Sequence, residues 1–133
     1  MRRLRPLDLD VLPDGFSICR LGPDEAVPDW AGRGALSSVT RTAGELSIVC
    51  ADAVTPAGAA AQRGWRALAV AGPLDFSLTG ILLSLAEPLA RAGISIFAIS
   101  THDTDVLLVP GPQLPAAVEA LTGAGHRVRE TAA

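Results

Sequence analysis

The sequence predicts an α+β protein of two small modules in tandem, each an antiparallel sheet with helices on one face. Three observations carry that expectation. Short β-rich apolar runs alternate with stretches whose apolar residues recur at three- and four-residue steps. Glycine and proline punctuate the chain between them. The 133 residues are 49% hydrophobic and 19% charged, which is a foldable composition far from that of disordered chains.

Residues 1–14 read as an N-terminal extension ending in the turn Pro13-Asp14-Gly15. Residues 15–64 form the first module, a degenerate copy. Residues 16–21 are its first strand, 22–34 a loop with Trp30 as anchor, and 36–41 and 45–50 two short strands around a hairpin. Residues 55–63 are Ala-rich and begin Thr55-Pro56, a capping residue followed by proline at the first helical position. They are expected to be a helix ended by Gly64.

Residues 65–130 form the second and clearer module. Residues 65–71 are a buried strand ending at Gly72-Pro73. Leu78, Ile81, Leu82, Leu85 and Leu89 make the best helical stripe in the chain, with Pro88 expected to loosen its last turn. Strands at 94–100 and 105–109 flank the polar turn Thr101-His102-Asp103-Thr104. A helix at 115–124 and a strand at 126–129 follow. This β-α-β-β-α-β order is that of a ferredoxin-like layer.

Composition narrows the function. All 11 positive charges are Arg, and the chain has no Lys, Asn or Tyr. Schiff-base and P-loop lysines are therefore excluded. The net charge of −3 is scattered without a basic stripe, so nucleic acid is not an expected partner. The basic start Met1-Arg2-Arg3-Leu4-Arg5 runs into Pro6, Asp8 and Asp10 and not into an apolar stretch, so it does not read as a signal peptide. No apolar run suits a membrane span. A soluble, cytoplasmic protein is expected. Cys19 and Cys50 sit in apolar runs as buried thiols, and with His102 and His126 they have no metal-ligand spacing. Neither a metal nor a cofactor is expected.

Three polar clusters interrupt the apolar framework. The strand-to-helix turn 72–80 contains Asp75, Ser77, Thr79 and Gly80. It offers free N–H groups to a carboxylate, or is an ordinary helix cap. Thr101-His102-Asp103-Thr104-Asp105 places an imidazole among carboxylates. Without a nucleophile motif it reads as a solvated or ligand-binding turn and not as a catalytic dyad. Ser37, Ser38, Thr40 and Thr42 belong to a hydroxyl-rich strand that is either a ligand surface or a solvated edge.

The run Gly64-Trp65-Arg66-Ala67-Leu68-Ala69-Val70-Ala71-Gly72-Pro73-Leu74-Asp75-Phe76-Ser77-Leu78-Thr79-Gly80-Ile81-Leu82 resembles the ACT domain of the cytosolic arginine-sensor (CASTOR-type) family. So do Glu87-Pro88-Leu89, and residues 94–105 with the ending Leu107-Leu108-Val109-Pro110. Ser38-Val39-Thr40-Arg41-Thr42 ahead of residues 45–50 resembles the N-terminal module of small bacterial relatives. The resemblance implies a non-catalytic regulatory sensor that holds a free amino acid between two ACT modules. It implies that the backbone around Thr79, Gly80, Ile81 and Leu82 receives the ligand's main-chain end, with Asp75 and Leu78 also among the ligand-binding residues. Ser38 and Val39 would close the pocket, and Thr101, His102, Thr104 and Asp105 would line the side-chain end. Asp105 matches an acidic, ligand-facing position, so a cationic amino acid is among the implied ligands. His102, Thr104 and Leu78 depart from the sensors' residues, which leaves the ligand's identity open. A homodimer or larger homo-oligomer and a regulated protein partner are expected. The competing reading is a ligand-free oligomerisation or protein-docking module.

Overall fold

The computed structural model describes residues 6–74 and 79–130. The chain forms two compact units. One is Asp14–Trp65, and the other joins the chain up to Pro13 with the chain from Arg66 onward.

In the unit beginning at Arg66, the expected β-α-β-β-α-β order is present: β4 (Ala61–Val70), α1 (Ile81–Arg91), β5 (Phe97–Ser100), β6 (Asp105–Pro110), α2 (Leu114–Gly123) and β7 (Arg127–Glu130). A further strand joins it. Residues 7–11, read in the sequence as part of an extension, belong to the core and open β1 (Asp8–Leu21). Leu7, Leu9 and Val11 are 6%, 0% and 1% exposed. The start of β1 lies between β4 and β7, so the strand order in this unit is β7-β1-β4-β6-β5. Asp8 to Val11 pairs in parallel with Arg127 to Glu130.

Alternation explains the insertion. Leu7, Leu9 and Val11 point to the core while Asp8 and Asp10 point to solvent, where they meet Arg127 and Arg129 across the strand pair. The hydrogen bond from Arg127 holds the Asp8 carboxyl below the usual carboxylate range. These exposed ion pairs set register more than stability.

The core of this unit shows where its helices lie. Leu9, Val11, Leu68, Val70, Leu107 and Val109, alternate residues of β1, β4 and β6, pack with Leu85 and Leu89 of α1 and with Leu114, Ala117 and Leu121 of α2. Both helices therefore cover the same face of the sheet.

The unit Asp14–Trp65 contains strands and two 3-10 turns, with no α-helix. Its strand order is β2 (Ser38–Arg41), β3 (Leu46–Ala51), β1, β4. The helix expected at 55–63 is absent. Thr55 Oγ1 donates backward to the Ala51 carbonyl at 2.9 Å and does not cap a following turn. Only one turn closes, Ala59 N–H to Pro56 O at 3.1 Å, before Arg20 N–H takes the Ala60 carbonyl at 3.0 Å and strand pairing begins. Ala-rich propensity over so few residues is weak against sheet pairing.

Asp52 organises this unit. It accepts from the Ser17 hydroxyl at 2.5 Å and from the Gly64 N–H at 3.1 Å. A Cβ on Gly15 would come 2.6 Å from its Oδ2, so a side chain there would push the Asp52 carboxylate out of its present place. Cys19 and Cys50 are both buried among Ala31, Leu46 and Ile48, with Trp30 packed against them. Burial pushes the Cys19 thiol up to about 11.

Candidate ligand site

Two turns of the unit beginning at Arg66 carry the candidate site, and hydrogen bonds join them. The first leads from β4 into α1. The second is the four-residue connection 101–104 of the β5–β6 hairpin, set by the pairing Ser100↔Asp105. The Thr104 hydroxyl donates to the Val70 carbonyl at 2.6 Å, and the Leu74 N–H donates to the Asp103 carbonyl at 2.6 Å. Gly72 permits this approach. A Cβ there would stand 3.0 Å from Asp103 O and 3.3 Å from Thr104 Cβ. The Gly72–Pro73 peptide is cis.

The hairpin turn is internally braced. Thr101 N–H donates to Thr104 O at 2.8 Å, and Thr104 N–H donates to Thr101 Oγ1 at 3.2 Å. Asp105 is half-buried at the start of β6, and its Oδ1 accepts from Ser100 Oγ at 2.6 Å. By alternation it shares the face of Leu107 and Val109, the face that the helices cover. His102 and Asp103 point outward with side chains 84% and 70% exposed, their Nδ1 and Oδ1 2.8 Å apart.

At the first turn, Gly80 adopts φ 76° and ψ 5°, the left-handed region, as the N-cap of α1. It has no side chain to cap the helix, and no acidic residue stands in the first turn. The amides of Ile81, Leu82 and Leu83 have no partner within the helix ladder, which starts with Ser84 N–H to Gly80 O at 2.9 Å. Thr79 and Leu82 are exposed, and Ile81 is half-buried. This end of α1 carries the helix's partial positive charge with nothing on the chain's own first turn to neutralise it.

The fold thus brings Thr101, His102, Thr104 and Asp105 into one hairpin bonded to the turn before Thr79, Gly80, Ile81 and Leu82. Asp75 and Leu78 lie outside the described residues. Ser38 and Val39 are in the other unit, on β2. Ser38 is half-buried opposite Val49, and Val39 is 43% exposed opposite Ile48. Sequence reasoning did not single out Ser100, and it placed Gly72 in the strand-to-helix turn without its contact to the hairpin. Ser100 was legible, since a four-residue turn between paired strands makes residues 100 and 105 direct partners. Gly72 was not, because its role depends on a carbonyl 31 positions away. Among the described residues no cluster of three His, Cys, Asp or Glu side chains could hold a metal ion, and no helix is long and apolar enough to cross a membrane.

Comparison with known proteins finds relatives of both parts of the chain. The ACT domain model matches residues 60–123, and a model of an N-terminal domain matches residues 14–57. The human cytosolic arginine sensor for mTORC1, subunit 1, is 41% identical over 58 residues, covering 43% of this chain and 18% of the sensor. The matched segment is thus under a fifth of that protein. A crystal structure of a protein from Agrobacterium tumefaciens is 38% identical with a TM-score of 0.92, covering 98% of this chain and 97% of that one. The regulatory subunit of aspartate kinase from Thermus thermophilus shares the fold, with a TM-score of 0.60 at 14% identity over 93% of this chain and 99% of that one. Its βαββαβ order, its paired turns and these matches identify residues 60–123 of the chain as an ACT domain.

Proposed function

We propose that this protein is a cytoplasmic, non-catalytic regulatory sensor that binds a free amino acid. The observation that carries the reading is the pairing of opposite polarities on two hydrogen-bonded turns. The first turn of α1, which has no side-chain cap among the described residues, presents amide donors, and the β5–β6 hairpin presents the Asp105 carboxylate. A zwitterion is the ligand class that satisfies both. In this proposal the backbone from Thr79 to Leu82 takes the carboxylate. Asp105 takes the ammonium or a cationic side chain, with Thr101, His102 and Thr104 around it and Ser38 and Val39 as further contacts. The likeness to a cytosolic arginine sensor supports the ligand class.

A thermal-shift screen of the twenty amino acids tests it. One or a few should raise Tm, because a ligand at a hundred times its Kd stabilises the native state by about 2.7 kcal/mol. No shift with any of them would remove the proposal in favour of a ligand-free docking module.

We also propose a homodimer that engages a regulated protein partner. The four-residue strand β2 lies at the edge of its sheet, with Val39 exposed. Sedimentation at tens of micromolar should show a dimer or larger, and a monomer alone would refute it.

A further inference from the structure

Pro88 lies inside α1. In an α-helix the N–H of residue 88 would serve the carbonyl of Ser84, and proline has none to give. His126 occupies the gap. Its Nε2 is 3.1 Å from the Ser84 carbonyl oxygen, and its Nδ1 is 3.1 Å from the amide nitrogen of Leu7. The Leu7 amide can only donate, so Nδ1 is the acceptor. The ring hydrogen is therefore on Nε2, pointing at Ser84. The residue is 6% exposed.

Ser84 is also where the first turn of α1 closes. Its N–H bonds Gly80 O at 2.9 Å, and its hydroxyl bonds Ile81 O at 2.8 Å. From these contacts we infer that His126 is a positioning residue for the ligand site. The ring replaces the ladder bond lost at Pro88 with a tether to Leu7 beside β1, and so fixes how the turn around Gly80, Ile81 and Leu82 is presented. The inference rests on the amino-acid-binding reading above.

A four-way comparison tests it, using the amino acid selected by the thermal screen and calorimetry for Kd. His126→Ala should lower Tm and weaken binding by roughly fivefold or more. Adding Pro88→Ala returns an N–H to the Ser84 carbonyl. Tm should then recover in part, the Leu7 amide still lacking its acceptor, while Kd stays weakened, because the helix is repaired but the tether is not. His126→Gln keeps an amide donor near the Nε2 position and should bind like the native protein.

Recovery of Kd together with Tm in the double variant would overturn the inference and leave His126 a purely structural residue. So would equal binding by His126→Ala and His126→Gln. If His126→Ala does not fold, the double variant compared with Pro88→Ala alone reads the same term. A native protein that binds none of the twenty amino acids removes the functional reading, and this inference with it. Native binding that ignores position 126 removes the inference only.

Discussion

Replacing Asp105 with alanine is expected to abolish most amino-acid binding while leaving the fold intact. The carboxylate is half-buried at the mouth of β6, followed by four buried residues, and one oxygen accepts from Ser100 at 2.6 Å. A charge-assisted hydrogen bond in such a place contributes about 1.5–3 kcal/mol. Its loss corresponds to roughly a ten- to hundredfold weaker Kd. Asp105→Asn sharpens the test. It can keep the Ser100 bond and the hairpin geometry but removes the charge, so it should bind nearly as poorly as Asp105→Ala.

Asp103→Ala is the control. The Asp103 side chain is 70% exposed, and the group that matters for structure is its backbone carbonyl, which holds the Leu74 amide and survives the substitution. Calorimetry on the three variants decides the matter. Loss of binding in Asp103→Ala with retention in Asp105→Ala would show that the register assigned to the hairpin is wrong.

Gly80→Val is the second substitution with a large expected effect. Gly80 stands at φ 76° as the N-cap of α1. A residue with a Cβ pays about 1–2 kcal/mol to adopt the left-handed region, and a β-branched one is the least able to. The backbone should relieve this by rotating residue 80, which redirects the Ile81 and Leu82 amides proposed to hold the ligand's carboxylate. Binding should fall by more than the stability loss accounts for, at least about tenfold in Kd, a change of about 1.4 kcal/mol. Gly80→Ala should show the same pattern more weakly. Denaturant titration beside calorimetry separates the two effects. Wild-type Kd in a destabilised Gly80→Val would show that the first turn of α1 does not touch the ligand.

Much of the unit beginning at Arg66 was legible in the sequence because its signals are local. Leu85 and Leu89 recur at a helical step and both face the core, and Gly93 turns with φ 72° just after the end of α1. The Thr101–Thr104 turn followed from a polar stretch between two apolar strands. Both candidate turns were found for the same reason. A strand-to-helix junction and a hairpin tip announce themselves by composition, and a family resemblance covers the same residues.

Other features depended on partners distant in the chain. Leu7-Asp8-Leu9-Asp10-Val11 alternates as a strand should. Its place between β4 and β7 became visible only with Arg127 and Arg129 opposite Asp8 and Asp10. The segment 55–63 carries helix-start chemistry, yet Thr55 turned back to Ala51 and Arg20 claimed the Ala60 carbonyl. A short helix with no apolar face to bury loses to a sheet edge that offers partners.

The sequence by itself determined which residues alternate, which recur at helical spacing and where the polar turns lie, since those properties travel with neighbours along the chain. Only the tertiary structure decided that β1 joins the sheet between the first and last strands of the βαββαβ unit, that Gly72 must admit a carbonyl from the hairpin, and that His126 answers the proline in α1. Each of those depends on a hydrogen-bonding group whose partner is brought to it by folding, and an unpaired buried polar group costs too much for the chain to leave it alone.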